Sequence, residues 1–151
     1  MQRRKFLKYT AIAGSASVLV GTGLLMPTLA QAEGSGAFAA KNLKDALTAL
    51  NATPEVSDKI KIKAPEIAED GSVVPVTVSS EIAGTTELSI LVENNPTPLA
   101  ATFIFSEGTK AEASTRLKMG KTSNVIVIAK AGDKTYSAKQ EVKVTIGGCG
   151  G

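Results

Sequence analysis

The sequence predicts a mainly β protein: a seven-stranded antiparallel immunoglobulin-like β-sandwich with one N-terminal helix and a flexible Gly-Gly-Cys-Gly-Gly tail. Three observations support this class. Apolar and polar residues alternate over most of the second half of the chain, which is the period of a strand with one buried face. Turn residues recur between the alternating segments. Helical spacing is confined to a short segment that precedes them.

Residues 1–32 have the pattern of an export signal. A basic start that includes Arg3 and Arg4 precedes a weakly apolar segment, and Ala30-Gln31-Ala32 forms the small-x-small pattern of a signal-peptidase site. The adjacent arginines resemble the twin-arginine export motif. A retained membrane anchor is the alternative, because residues 9–30 are long enough to span a bilayer. We expect cleavage instead, since the cleavage pattern follows the apolar segment directly.

The distribution of charge argues against nucleic acid as a partner. Residues 1–32 hold four of the 17 basic residues and none of the 14 acidic ones, so residues 33–151 carry a net charge of −1. This part of the chain lacks the basic surface and the aromatic stacking residues that nucleic-acid binding needs. Residues 107–151 have eight basic residues against four acidic ones. Solvated strand faces explain this local excess more simply than an anion-attracting surface.

One N-terminal helix is predicted before the strands. In FAAKNLKDALTALN, residues 38–51, apolar side chains recur at helical spacing. Asn51 and Pro54 are expected to end the helix. Its apolar positions are Leu43, Ala46, Leu47 and Leu50.

Seven strands follow the helix. They are predicted in KIKIK (59–63), VVPVTV (73–78), ELSILVE (87–93), ATFIF (101–105), ASTRLKM (113–119), NVIVIA (124–129) and TYSAKQEVKVTI (135–146). The last segment places Tyr136, Ala138, Val142, Val144 and Ile146 on one face. Turn signals such as Asp70-Gly71 and Glu107-Gly108 separate the segments. Pro75 cannot donate to a ladder, so its strand is expected to lie at an edge or to be bulged there.

The chain lacks the residues of common catalytic and metal sites. With no histidine and one cysteine, it has no His/Cys metal cluster, no Ser-His-Asp triad and no Cys-His pair. Glu66, Glu69 and Asp70 could hold calcium weakly, although a solvated loop explains them better. We therefore expect no resident metal, no cofactor, and no enzyme that acts alone.

The single cysteine, Cys149, lies between two pairs of glycines. A lone cysteine in a β-sandwich is usually a small buried hydrophobic residue. Here the neighbouring glycines supply no side chains to bury and lose much entropy when they are fixed. Residues 147–151 are therefore expected to form a flexible arm after a helix-plus-sandwich domain at 33–146. No cation adjoins the thiol in sequence, so its activation should come from the pocket that receives it.

The export signal, the sandwich and the tail together resemble the SoxY family, the sulfur-carrier subunits of the periplasmic thiosulfate-oxidising Sox system. The segment IKIKAPEIAEDGSVVPVTV at 60–78 is also similar to that family. The resemblance implies a carrier and not an enzyme, located in the periplasm after twin-arginine export. Cys149 would be the covalent sulfur attachment site. Gly147, Gly148, Gly150 and Gly151 would form the flexible arm.

The resemblance also implies a set of partners. A haem cytochrome would conjugate thiosulfate oxidatively to Cys149 as a cysteine S-thiosulfonate, and a hydrolase would release sulfate. A sulfane dehydrogenase or a sulfur acceptor would then take the remaining persulfide sulfur. A second small sandwich protein, similar to SoxZ, would form a heterodimer with this chain and leave the cytoplasm on its Arg3-Arg4 signal. Nucleic acid is not expected as a partner, nor is the membrane after signal cleavage.

Two alternatives stay open. A ubiquitin-like sulfur carrier would hold sulfur as a thiocarboxylate on Gly151, but that route needs ATP, which is not available outside the cytoplasm. A non-catalytic structural sandwich could instead dimerise through Cys149.

Overall fold

Two facing β-sheets form the body of the protein in the computed structural model, which describes residues 35–147. The helices are α1 (Ser35–Ala39) and α2 (Leu43–Ala49). The strands are β1 (Glu55–Val56), β2 (Ile60–Lys63), β3 (Ile67–Asp70), β4 (Val74–Ser80), β5 (Thr85–Val92), β6 (Leu99–Ile104), β7 (Ala111–Leu117), β8 (Ser123–Ala131) and β9 (Lys134–Ile146).

The larger sheet has the strand order β1-β9-β8-β5-β6, and β3 also pairs with β9. The smaller sheet has the order β2-β4-β7. All pairs are antiparallel except those of β1 and β3, which both run parallel to β9. β1 pairs with β9 near its beginning, at Tyr136 and Ser137, whereas β3 pairs with its last residues. β9 is therefore the strand on which the larger sheet is organised.

The inner faces of the two sheets share one hydrophobic core. The alternation read from the sequence is reproduced in the burial of β4, whereas in β5 the intervening Ser89 and Leu91 are buried too. The core-facing residues of both strands are at most 2% exposed. These residues are Val74, Val76, Val78, Leu88, Ile90 and Val92. Burial of each such side chain contributes about 1.5–3 kcal/mol to folding, so this core is the main source of stability.

Helix α2 covers part of the outer face of the larger sheet. The side chain of Asn42 caps its N-terminus by accepting the Asp45 N–H at 2.8 Å. Ala46 is fully buried in a second cluster against Leu91 and other residues of the outer face. Asn51 ends the helix as predicted, because its φ of 49° is incompatible with a continued helix.

The structure corrects the predicted element count within residues 35–147. All seven predicted strands are present, but β1 and β3 add two more, giving nine. Both were missed because they pair in parallel with the distant β9, which leaves no hairpin signal, and β1 in addition has only two residues. The predicted helix is also two helices, because Asn42 starts a new one. The two-sheet architecture agrees with the prediction, whereas the immunoglobulin-type assignment stays a prediction.

Two positions differ in detail from the sequence interpretation. Ile146 was expected on the core face of the last strand, but it is 69% exposed because β9 extends beyond the core there. Pro75 lies in β4, the central strand of the smaller sheet, and not at a sheet edge. β2 ends at Lys63, opposite Thr77, so β4 has no neighbour on that side at Pro75. A proline is tolerated there because no β2 residue pairs with it.

The predicted signal peptide, residues 1–32, lies outside the described residues, as does most of the predicted arm. Those two boundaries stay predictions. Within residues 35–147, no helix has the length and apolar character needed to cross a membrane.

Two isoleucines allow a matched test of the core. Ile90 is fully buried, whereas Ile104 is 82% exposed. Ile90→Ala should lower the free energy of unfolding by about 2–5 kcal/mol, because it removes packed methylene groups and leaves a cavity. Ile104→Ala should change it by less than about 0.5 kcal/mol. Urea unfolding of both variants measures the difference, and equal effects would contradict the two-sheet core.

Candidate functional site

The structure describes one of the residues that the sequence assigns to the site. Gly147 is the last described residue and directly follows β9. The others, Arg3, Arg4, Gly148, Cys149, Gly150 and Gly151, lie outside residues 35–147, so their roles stay predictions. The described geometry is that of Gly147 and the end of β9, which precede Cys149 in the chain.

Strand β3 holds the end of β9 from one side. The strands run parallel, with Asp70 opposite Ile146. The hydroxyl Oγ1 of Thr145 also donates a hydrogen bond to the backbone oxygen of Glu69 at 3.0 Å. Because parallel strands cannot be joined by a tight hairpin, this support comes from a distant part of the chain.

The turn after β3 connects the end of β9 to the loop between β7 and β8. The Gly71 N–H donates to the Ile146 carbonyl oxygen at 2.8 Å, and the Gly71 carbonyl accepts the Met119 N–H at 2.7 Å. Met119 is fully buried, so it fixes the loop to the core. The same loop supplies Thr122, whose Oγ1 accepts the N–H of Val144 at 3.0 Å. Hydrogen bonds from two other segments therefore hold the last residues of β9.

Gly147 lies against the backbone of Gly120 in the β7–β8 loop. A Cβ atom at position 147 would collide with the Gly120 carbonyl oxygen and would lie 3.2 Å from its carbonyl carbon. Asn95 holds Gly120 in place, because its Oδ1 accepts the Gly120 N–H at 3.3 Å and its Nδ2 donates to the Lys118 carbonyl at 2.7 Å. Since backbone atoms cannot rotate away as a side chain can, any larger residue at position 147 requires the chain to shift. The sequence predicted glycine at position 147 for flexibility. The structure gives another reason, which is the close approach of two backbones.

We call Gly71, Met119, Gly120, Ile146 and Gly147 the arm root. Of these five residues, only Gly147 was predicted from the sequence to belong to the site. Gly71 was predicted in a turn and Ile146 on a core face. No local pattern could indicate the rest, because these residues meet only through the pairing of β3 with β9. Gly120, which precedes Lys121 just after the predicted strand 113–119, was the single weak signal.

Charge around the arm root is mixed. Hydrogen bonds from the Ser72 hydroxyl and the Ser72 N–H lower the pKa of the Asp70 carboxyl from its ordinary value. Lys121, next to Gly120 in sequence, is exposed. At the opposite end of the sandwich, Lys110 forms an ion pair with Glu112, which raises the lysine pKa and lowers the glutamate pKa. Basic residues of the C-terminal part thus occur at both ends of the sandwich, and the interpretation as solvated strand faces stays a prediction.

The described residues were also searched for a metal site and for cavities away from the arm root. Between residues 35 and 147, no group of three or more His, Cys, Asp or Glu side chains is arranged to hold a metal ion. The calcium alternative at Glu66, Glu69 and Asp70 therefore lacks a ligand cluster. A cavity of about 650 Å³ lies between the β4–β5, β6–β7 and β8–β9 turns, at the end of the sandwich opposite to the arm root.

Comparison with known proteins relates most of the chain, including the segment with Cys149, to one family. The model of the family described as "Sulfur oxidation protein SoxY" matches residues 44–149, so the match includes Cys149. The structure is similar to that of the sulfur carrier protein SoxY from Chlorobium limicola f thiosulfatophilum, with 46% sequence identity and a TM-score of 0.64. That match covers 72% of this chain and 99% of the other.

A second solved structure, of an engineered protein, is similar at 13% identity and a TM-score of 0.39, over 58% of this chain and 20% of that chain. This likeness is too low to support an argument. No curated protein sequence matches the chain significantly.

The arm root predicts a difference between two neighbouring glycines. In Gly147→Ala, the new Cβ should displace the chain from Gly120 and weaken the hydrogen bond from Gly71 to Ile146. Loss of about 1 kcal/mol in that bond corresponds to roughly fivefold faster exchange of the Gly71 amide. Hydrogen exchange followed by NMR measures this rate.

Gly148→Ala is the matched control and should leave the Gly71 exchange rate unchanged, because position 148 follows the close approach. A bulkier change there, Gly148→Val, should also leave the melting temperature nearly unchanged. If Gly147→Ala exchanges at the wild-type rate, the close approach does not constrain the chain and the arm root is wrong.

Proposed function

The chain belongs to the SoxY family of sulfur oxidation proteins, and we propose that it carries thiosulfate-derived sulfur covalently on Cys149. The sulfur is held first as an S-thiosulfonate and then as a persulfide. The carrier presents both species to partner enzymes for oxidation to sulfate or for transfer. The chain acts as the substrate of these enzymes and does not itself catalyse the reaction.

The position of the thiol relative to the arm root carries this proposal. Cys149 is the only cysteine of the chain, and it comes two residues after Gly147. Its Cα therefore lies at most about 7 Å from that of Gly147. A thiol on a short glycine segment that leaves a firmly held strand end can enter another protein's active site. The family match, which reaches residue 149, supports the same assignment.

The proposed chemistry divides between the carrier and its partners. In the loading step, the Cys149 sulfur forms a bond to the sulfane sulfur of thiosulfate, the thiol proton goes to solvent, and two electrons pass to a haem cytochrome. A hydrolase then adds water across the bond between the sulfane sulfur and the sulfonate, which releases sulfate and leaves the persulfide. A sulfane dehydrogenase or a sulfur acceptor removes the remaining sulfur. The carrier supplies only the nucleophilic sulfur and its access.

We also propose a heterodimer with a small β-sandwich protein similar to SoxZ. Twin-arginine export carries folded proteins, yet this chain has no evident cofactor to receive before export. A partner that lacks its own signal and binds in the cytoplasm would explain the need for prior folding. Arg3 and Arg4 would then export both proteins to the periplasm.

Replacement of the thiol is the direct test of the carrier function. Cys149→Ser should abolish the mass increase that the wild-type protein acquires from thiosulfate in the presence of the conjugating cytochrome, because no other side chain of the chain is a thiol. Its urea unfolding curve should match that of the wild type, since position 149 lies beyond the core strands. Intact-mass spectrometry measures loading.

Two other results of this experiment would each favour a different function. Loading of the serine variant at the C-terminal carboxyl would favour the thiocarboxylate carrier that uses Gly151. A wild-type protein that forms only a reducible dimer through Cys149 would favour a structural sandwich. Either outcome would overturn the proposed function.

The export proposal predicts that two proteins move together. Arg3→Lys combined with Arg4→Lys should retain both this chain and its sandwich partner in the cytoplasm, as measured by immunoblotting of cell fractions. A matched pair, Lys5→Arg combined with Lys8→Arg, keeps the charge and leaves the arginine pair intact, so export should continue. If the partner reaches the periplasm without this chain, the shared export is wrong.

A further inference from the structure

Two large apolar side chains are exposed next to the arm root. Ile146 is 69% exposed and Val73 is 53% exposed. They lie at the same end of the sandwich, because Gly71 binds the Ile146 carbonyl at 2.8 Å and Val73 follows Gly71 by two residues. Valine and isoleucine are often buried in folded proteins. Exposed apolar side chains also occur elsewhere on the sandwich, so it is the position of these two beside the arm root that distinguishes them.

The length of the arm determines where such a partner must stand. Gly147 lies against Gly120 and directly follows the hydrogen-bonded end of β9, so the reach of the thiol is measured from this point. With its Cα at most about 7 Å away, Cys149 cannot enter an active site unless the rim of that site comes against the surface around Gly147. An enzyme that takes up the thiol therefore covers the neighbouring side chains.

We infer that Val73 and Ile146 form the docking surface for the enzymes that load and unload Cys149. The occupant is the apolar rim of an active-site entrance on a partner enzyme. This inference rests on the proposed function and adds the surface through which the carrier is recognised. A small apolar contact suits a carrier that must be released after each step, because it adds affinity without a large interface.

The polar groups around this surface do not oppose apolar contact. Asp70 already accepts two hydrogen bonds from Ser72, so its charge is partly satisfied within the chain. Lys121 is exposed and can extend into solvent at the rim of the contact. Charged residues close to the arm root in sequence are thus compatible with an apolar contact there, as at the rim of many interfaces.

A double variant, Val73→Ser with Ile146→Ser, tests this surface. In thiosulfate loading by the conjugating cytochrome, it should lower kcat/KM about tenfold, because two apolar contacts near the centre of an interface are lost. The loss should appear in KM, with kcat unchanged, since the contacts are the same in the bound state and in the transition state.

A small-molecule reaction separates docking from thiol reactivity. Cys149 thiolate attacks a sulfane sulfur of tetrathionate, forms the S-thiosulfonate and releases thiosulfate, with no enzyme and no net change in electrons. This rate should be equal in the wild type and the double variant. Hydrogen exchange of the Gly71 amide should also be unchanged, which excludes a loosened arm root as the cause.

Val56 and Ile104 provide matched controls, because they are 91% and 82% exposed on other parts of the sandwich. Val56→Ser with Ile104→Ser should keep kcat/KM within about twofold of the wild type. Equal kcat/KM in the wild type and in Val73→Ser with Ile146→Ser, or an equal loss in the control, overturns the docking surface while the carrier function stands. If the cytochrome does not load the wild-type chain at all, both the carrier function and the docking surface are wrong.

Discussion

The backbone hydrogen bonds that hold the end of β9 are the constraint on which the site depends. β9 pairs with β8 only as far as Val142, and its last four residues rely on other segments. Parallel pairing with β3 and the Gly71 bond to Ile146 replace β8 there. Without these contacts the strand would fray toward Gly147, and the thiol would have no defined starting point. A carrier arm that is short needs such a starting point more than a long one does.

The hydrophobic core determines the arm root through the loops that leave it. Met119 is fully buried, and its N–H binds the turn at Gly71. Val74, at the start of β4, is equally buried and anchors the other end of the same turn. The turn and the β7–β8 loop are thus each one or two residues from a packed side chain. Packing in the interior therefore fixes the position of the arm root at the surface.

A packed sandwich followed by a short glycine-rich segment in the sequence suits the proposed covalent carriage on Cys149. Fixing a glycine costs more entropy than fixing another residue, so glycines are costly where order is needed and useful where the chain must adapt to several pockets. Gly147 differs from this pattern because its backbone meets Gly120. The exposed Ile146 and Val73 lie at the end of the sandwich next to the glycine-rich segment. A partner can contact a surface there that is already ordered.

The sequence by itself determined the two-residue alternation, seven of the nine strands between residues 35 and 147, the end of the helix at Asn51 and the identity of the lone thiol. These features are local, because burial of every second side chain or a residue with positive φ leaves a mark within a few positions. Only the tertiary structure decided that β1 and β3 join β9, that Ile146 is exposed and that Gly147 lies against Gly120. Those features arise from backbone groups far apart in the chain, and hydrogen bonds between backbone groups are available to any sequence. Which backbone groups pair depends on how the packed core brings distant segments together, and no short sequence pattern indicates that.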